Sequence, residues 1–170
     1  MKAEVAIVMG SDSDLNVMSD AAKFLEQIGI ACELLILSTH RAPKETSDFA
    51  KSAKEKGIKV IIAGAGGAAA LPGSIAAATT LPVIGVPVKS KSLEGLDSLL
   101  SIVQMPPGVP VATVGINSAK NAAILAAQII AVGNSKVAEK IQEYKKKLNT
   151  EVLEKNSKLK KIGYNKCLEN

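Results

Sequence analysis

Between Lys59 and Lys89 the chain runs through 29 residues without a charged side chain. A neutral stretch of that length is either a membrane span or the buried interior of a water-soluble domain. Pro72, Pro82, Pro87 and five glycines interrupt it, and a spanning helix wants continuous bulky apolar residues. The stretch therefore reads as two buried strands with a tight helix between them. Strands that are apolar throughout, with little period-two alternation, belong to parallel sheets covered on both faces.

The rest of the chain repeats the pattern. Strands are predicted at 4–9, 30–37, 58–63, 82–87 and 111–114. Between the first two, Leu15, Met18, Ala22 and Leu25 recur at helical spacing, with Asp14 or Ser13 as cap and Gly29 as stop. Further helices are predicted at 43–56, 72–79, 93–104, 118–132 and 135–155. Five strand–helix units define an α/β fold: one doubly wound, five-stranded parallel sheet with helices on both faces and an extra C-terminal helix. The flavodoxin-like order 2-1-3-4-5 is predicted. It sets the loops after strands one and three at the switch-point crevice, with the loop after strand two beside it. Residues 1–155 form one domain in this reading, and 156–170 a frayed Lys-rich tail.

The net charge of +5 suggests a nucleic-acid partner until it is located. Residues 1–135 carry 11 basic and 11 acidic side chains, whereas residues 136–170 carry 10 lysines against 5 glutamates. A Lys/Glu-rich terminal helix accounts for that excess, and only 2% of residues are aromatic, too few to stack on bases. Neither a nucleic-acid nor a membrane partner is expected. Cys32 and Cys167 stand in no metal-ligand or CxxC spacing, and the N-terminus lacks a signal-peptide design, so a cytoplasmic location is expected. From residue 119 to 132 the only polar side chains are Lys120, Asn121 and Gln128. A helix apolar nearly all round must be buried, which predicts a homo-oligomer.

Three loops carry the chemistry. After strand one, Gly10-Ser11-Asp12-Ser13-Asp14 opens a helix. Hydroxyls and free N–H groups there suit an anion, and the Asp14 carboxylate suits sugar hydroxyls, although Ser and Asp would cap a helix in any case. After strand two, Ser38-Thr39-His40-Arg41-Ala42-Pro43 sets the chain's single histidine beside a guanidinium. Imidazole titrates near neutrality unaided, and guanidinium forks onto phosphate or carboxylate. After strand three, Gly64, Ala65, Gly66, Gly67, Ala68, Ala69, Ala70 and Leu71 let backbone approach a ligand closely. This loop also matches GxGxxA, but the fingerprint belongs after the first strand and needs an acidic residue about 20 positions later. No cofactor is expected. The inventory fits a phosphorylated, sugar-linked small molecule with proton transfer as the protein's chemistry.

GSDSD after strand one, STHRAP after strand two and GAGGAA–LPG after strand three, with LPVIGVPV and GLDSLLSIVQMP–GVPVATV, together resemble the class I N5-carboxyaminoimidazole ribonucleotide mutases of purine biosynthesis. The resemblance spans residues 5–154. It implies an isomerase that moves a carboxylate from N5 to C4 of its nucleotide, as a homo-octamer, without metal, ATP or organic cofactor. Carried over by motif, Ser11, Asp14 and Arg41 bind the nucleotide. His40 is the general acid/base, and Ser13, Ser38, Thr39, Gly64, Ala65, Gly66, Gly67, Ala70 and Leu71 line the pocket. Class II relatives, which carboxylate aminoimidazole ribonucleotide directly with carbon dioxide, typically carry Lys after the histidine and lack GAGGAA; Arg41 and the run from Gly64 to Ala69 favour class I. A non-catalytic flavodoxin-like or dinucleotide-binding module is the alternative of a different kind. One position departs: the family reads AAHLPG where this chain has Ala68-Ala69-Ala70-Leu71-Pro72-Gly73, so Ala70 replaces a histidine and impaired turnover is implied. Thr39 and Ala42 stand where the family has Ala and Thr.

Overall fold

The computed structural model describes residues 2–168. Five parallel strands, β1 (Val5–Met9), β2 (Cys32–Ile36), β3 (Val60–Gly66), β4 (Val83–Val88) and β5 (Ala112–Thr113), lie in the order β2-β1-β3-β4-β5. That is the flavodoxin-like order expected. Six helices follow: α1 (Leu15–Gln27), α2 (Pro43–Ser52), α3 (Leu71–Ala78), α4 (Leu96–Val103), α5 (Ala119–Ala131) and α6 (Ser135–Leu168).

The apolar strands β1, β3 and β4 bury both faces, with alternate residues serving opposite layers, whereas the edge strands β2 and β5, flanked by one neighbour each, stay partly exposed. Val5, Ile7 and Met9 join Val60, Ile62, Ile84 and Val86 beneath α1, α5 and α6. Ala6 and Val8 join Ile61, Ala63 and Val83 beneath α2, α3 and α4, where Phe49, Ile75 and Ile102 fill the layer. Small residues allow the close approach: a Cβ on Gly64, in the middle of β3, would collide with the Met18 sulfur of α1. On the first face the Phe24 and Tyr144 rings meet edge to face at 4.9 Å and tie α1 to α6, a geometry that aromatic quadrupoles favour.

Helix α5 is covered largely by its own chain, where its sequence predicts burial by association. Ala119, Ala122, Ala123, Ala126 and Ala127 are fully buried within one chain, against α1, β3 and the first turns of α6. Ile124, Leu125 and Ile129 are partly buried, and Val132 is exposed.

Three helix bounds differ from expectation, one of them the start of α4 at Leu96, three residues late behind a short 3₁₀ turn at Leu93–Gly95. Helix α2 stops at Ser52, four residues early, and turns lead to Gly57. Helix α6 runs on past Lys155 to Leu168, because no proline or glycine interrupts it before Gly163, which breaks the helical geometry at φ 76°, ψ 164°. Residues 169 and 170 of the predicted tail lie outside the described residues.

Candidate functional site

The carboxyl ends of β1, β2, β3 and β4 open on one cavity of about 460 Å³. Its walls come from four loops. Gly10, Ser11, Ser13 and Asp14 follow β1, and Ser38, Thr39, His40 and Arg41 follow β2. Ala65, Gly66, Ala69, Ala70 and Leu71 come from the end of β3 and its turn into α3, and Val88, Lys89 and Ser90 from the end of β4 and the loop after it. The position is the switch point of a doubly wound sheet, where β1 and β3 part company.

The first loop is built around Ser11, whose hydroxyl accepts the Ser13 N–H at 3.3 Å and donates to Asp12 Oδ1 at 3.0 Å. This corrects the expected cap. A single 3₁₀ turn, Asp12–Asp14, precedes α1, so capping falls to Ser11, and Asp14 makes no side-chain cap bond. The Asp14 carboxylate is left for the cavity, only 8% exposed, with Ser13 Oγ donating to it at 3.3 Å. Burial raises its pKa above the ordinary carboxylate value; the Ser13 hydroxyl and the Ser11 backbone oppose the shift, and the neighbouring Asp12 charge adds to it.

The second loop fixes Arg41 from two sides. Its Nη2 donates to the Gly10 carbonyl at 2.9 Å and its Nε to Ser38 Oγ at 3.4 Å. The backbone turns tightly, with Ala42 N–H on the Ser38 carbonyl at 2.7 Å and Arg41 N–H within 3.3 Å of the Ser38 hydroxyl. Both acceptors, a backbone carbonyl and a hydroxyl, are neutral, so the guanidinium is aligned and, among the described residues, meets no counter-charge, a ready anion seat. His40 is exposed on the same turn. Among the described residues no hydrogen bond holds its ring, which stands free to meet a bound molecule.

The third loop supplies backbone. Gly66 accepts the Ala69 N–H at 3.1 Å, and Ala69 takes a left-handed φ of 41°. Ala70 lines the cavity with a methyl group only. Two predicted residues stand back from it: Gly64 lies inside β3 against Met18, and Gly67 makes the turn at φ 61° with open space before it. Conversely, Val88, Lys89 and Ser90 line the cavity and escape the motif-based reading. Strand order was the available signal, since β4 neighbours β3 and Lys89 is the first charge after the neutral run.

These features define a class: a doubly wound α/β protein whose switch-point crevice joins an aligned guanidinium, a buried carboxylate and a free imidazole. Comparison carries it further. The family model described as AIR carboxylase matches residues 4–151, and this chain belongs to that family. It is 60% identical to the N5-carboxyaminoimidazole ribonucleotide mutase of Thermotoga maritima, over 96% of each chain. It is 54% identical to the phosphoribosylaminoimidazole carboxylase of Saccharomyces cerevisiae, covering all of this chain and 30% of that longer one. The crystal structure of Treponema denticola PurE superposes with a TM-score of 0.85 at 31% identity, over 92% of this chain and 98% of that one.

Proposed function

We propose that this chain is an N5-carboxyaminoimidazole ribonucleotide mutase, an isomerase of de novo purine biosynthesis. The observation that carries the reading is one cavity lined together by Ser11, Asp14, His40 and Arg41, in a chain so close to a mutase. Arg41, with the Ser11 and Ser13 hydroxyls, binds the nucleotide phosphate. Asp14 accepts the ribose hydroxyls. Ser38, Thr39 and the backbone of Ala65 and Gly66 flank the base, with Ala70 and Leu71 closing the pocket.

When the carboxylate leaves N5 that nitrogen gains a proton, and when it arrives at C4 that carbon loses one. A single acid/base group placed between them balances the reaction, and His40 is that group. Binding geometry supplies the rest of the catalysis, by keeping the migrating carboxyl group beside the ring.

The same reading includes assembly. Leu34 and Ile36 on β2, and Val152, Leu153 and Leu159 on α6, are exposed apolar side chains, and a groove of about 750 Å³, with Ala131, Ala138 and Ile141 among polar neighbours, runs along α5 and α6. A homo-oligomer, an octamer by resemblance, covers them; light scattering should give a mass several-fold above 17.6 kDa. Residues 1–155 then carry the catalytic unit. The proposed location is cytoplasmic; among the described residues no helix is long and apolar enough to cross a membrane.

Carbon-13 NMR tests the activity. With the carboxyl carbon of carboxyaminoimidazole ribonucleotide labelled and unlabelled bicarbonate in excess, a mutase converts the N-carboxy signal to the C-carboxy signal with label retained. Loss of label to bicarbonate, with product formed from aminoimidazole ribonucleotide, would replace this reading with direct carboxylation. No conversion of either would leave a binding protein.

A further inference from the structure

The loop after β4 is the part of the cavity wall with no role so far, and it is held from four directions. Ser98 Oγ, fully buried, lies 3.0 Å from the Val88 carbonyl and 2.8 Å from that of Gly95. Asn117 Oδ1 accepts the Lys89 backbone N–H at 2.8 Å. Ser90 Oγ lies within hydrogen-bonding reach of the Ser92 carbonyl at 2.7 Å and the Asp97 carboxylate at 3.1 Å. Leu93 and Glu94 then take left-handed backbone in succession, φ 52° and 55°, which residues other than glycine seldom adopt. That turn brings the Glu94 carboxylate back onto the Lys89 ammonium as an ion pair.

Among the described lining residues, Arg41 and Lys89 are the two permanent cations. The order β2-β1-β3-β4 separates the loops that carry them by three strand spacings, about 14 Å. A nucleotide seated on Arg41 by its phosphate therefore extends its base towards Ala70 and Lys89. The migrating group is itself a carboxylate, so it needs a cation at that end.

From this geometry we infer that Lys89 is the specificity residue that receives the substrate's carboxylate, and that Glu94 holds its ammonium in place until the substrate arrives. The inference rests on the mutase reading above. The pair is half exposed on the lysine side and more so on the glutamate side, and such pairs are weak. A ligand carboxylate can therefore take over the ammonium at little cost, and the exchange swaps one carboxylate partner for another. Asn117 acts through Lys89 as a positioning residue.

The test is calorimetric titration of the wild-type chain, Lys89→Met and Glu94→Gln with two ligands, 4-carboxy-5-aminoimidazole ribonucleotide and aminoimidazole ribonucleotide, which differ by the carboxylate alone. Lys89→Met should weaken the carboxylated ligand by about 10- to 160-fold, the range of a charge-assisted hydrogen bond, and leave the other within about twofold. Glu94→Gln, which frees the ammonium, should tighten the carboxylated ligand by roughly two- to fivefold. If wild type binds both ligands and Lys89→Met weakens both equally or neither, the role of Lys89 is overturned while the mutase reading stands. If wild type binds neither ligand, both fall together. Circular dichroism of each variant, matched to wild type, separates lost recognition from lost fold.

Discussion

The two ends of the crevice each present a cation, and they hold it differently. Arg41 is aligned by neutral oxygens, the Gly10 carbonyl and the Ser38 hydroxyl, so its charge is available to any anion. Lys89 is matched by a carboxylate, Glu94, so its charge is already answered and must be exchanged. A terminal phosphate is present in substrate and product alike and suits a fixed, uncompensated fork. A group that must arrive at one atom and leave another is better met by a partner with somewhere else to go. In the proposed reading the fixed end binds and the exchangeable end discriminates.

In the proposed mechanism His40 works between these ends, and removing it should have the largest effect. His40→Asn keeps size and some hydrogen bonding but removes the proton carrier. Turnover should fall by about 100- to 10,000-fold, the usual contribution of general acid–base catalysis, with nucleotide affinity nearly unchanged. Substantial steady-state activity in this variant would assign the chemistry elsewhere and leave two anion seats without a catalyst between them.

Ala70 tests the discriminating end. Its methyl leaves the cavity wall short of a donor beside the β3 loop, and Ala70→His should raise turnover by about tenfold or more, within the value of a charge-assisted hydrogen bond. The backbone there already takes ordinary helical geometry as the residue before α3, so assembly should not change. Turnover that stays level or drops would mean that Lys89 and the backbone suffice at this end.

Asp14 gives the smallest effect, on stability. Burial raises its carboxyl, so the folded chain binds this proton more tightly than the unfolded chain does. Stability is therefore lost as pH rises from the ordinary carboxylate value through the raised folded one, and at neutral pH the fold carries the whole penalty. Asp14→Asn should raise the melting temperature at pH 7 by at most about 3 °C, with the gain vanishing below roughly pH 4. Nucleotide affinity should fall at the same time. A melting temperature that drops at pH 7 would show that Asp14 supports the fold rather than the ligand.

The legibility of these regions in the sequence follows from how local their causes are. Parallel strands buried on both faces show as continuous apolar runs, so β1, β3 and β4 were readable, and the sheet order followed. The loops after β1, β2 and β3 were readable because their composition is unusual and their hydrogen bonds are short-range, as in Ser38 with Arg41. Ser11 as cap was missed because a 3₁₀ turn moves the helix start without altering which residues look like caps. Lys89 and Ser90 were missed because their place in the wall depends on Asn117 and Asp97, 28 and 7 positions away. The extent of α6 was missed because a Lys-rich segment reads as solvated tail, although Gly163 marked the break.

Arg41 as the phosphate seat is tested most directly by a two-by-two titration: wild type and Arg41→Ala, each with aminoimidazole ribonucleotide and with its dephosphorylated nucleoside. The phosphorylated ligand should lose about 1.5–3 kcal/mol of binding on Arg41→Ala, while the nucleoside loses almost nothing, so the cycle returns nearly the whole loss as coupling between side chain and phosphate. Equal losses for both ligands would contradict the assignment of that end of the crevice, and with it the orientation that brings the base to His40.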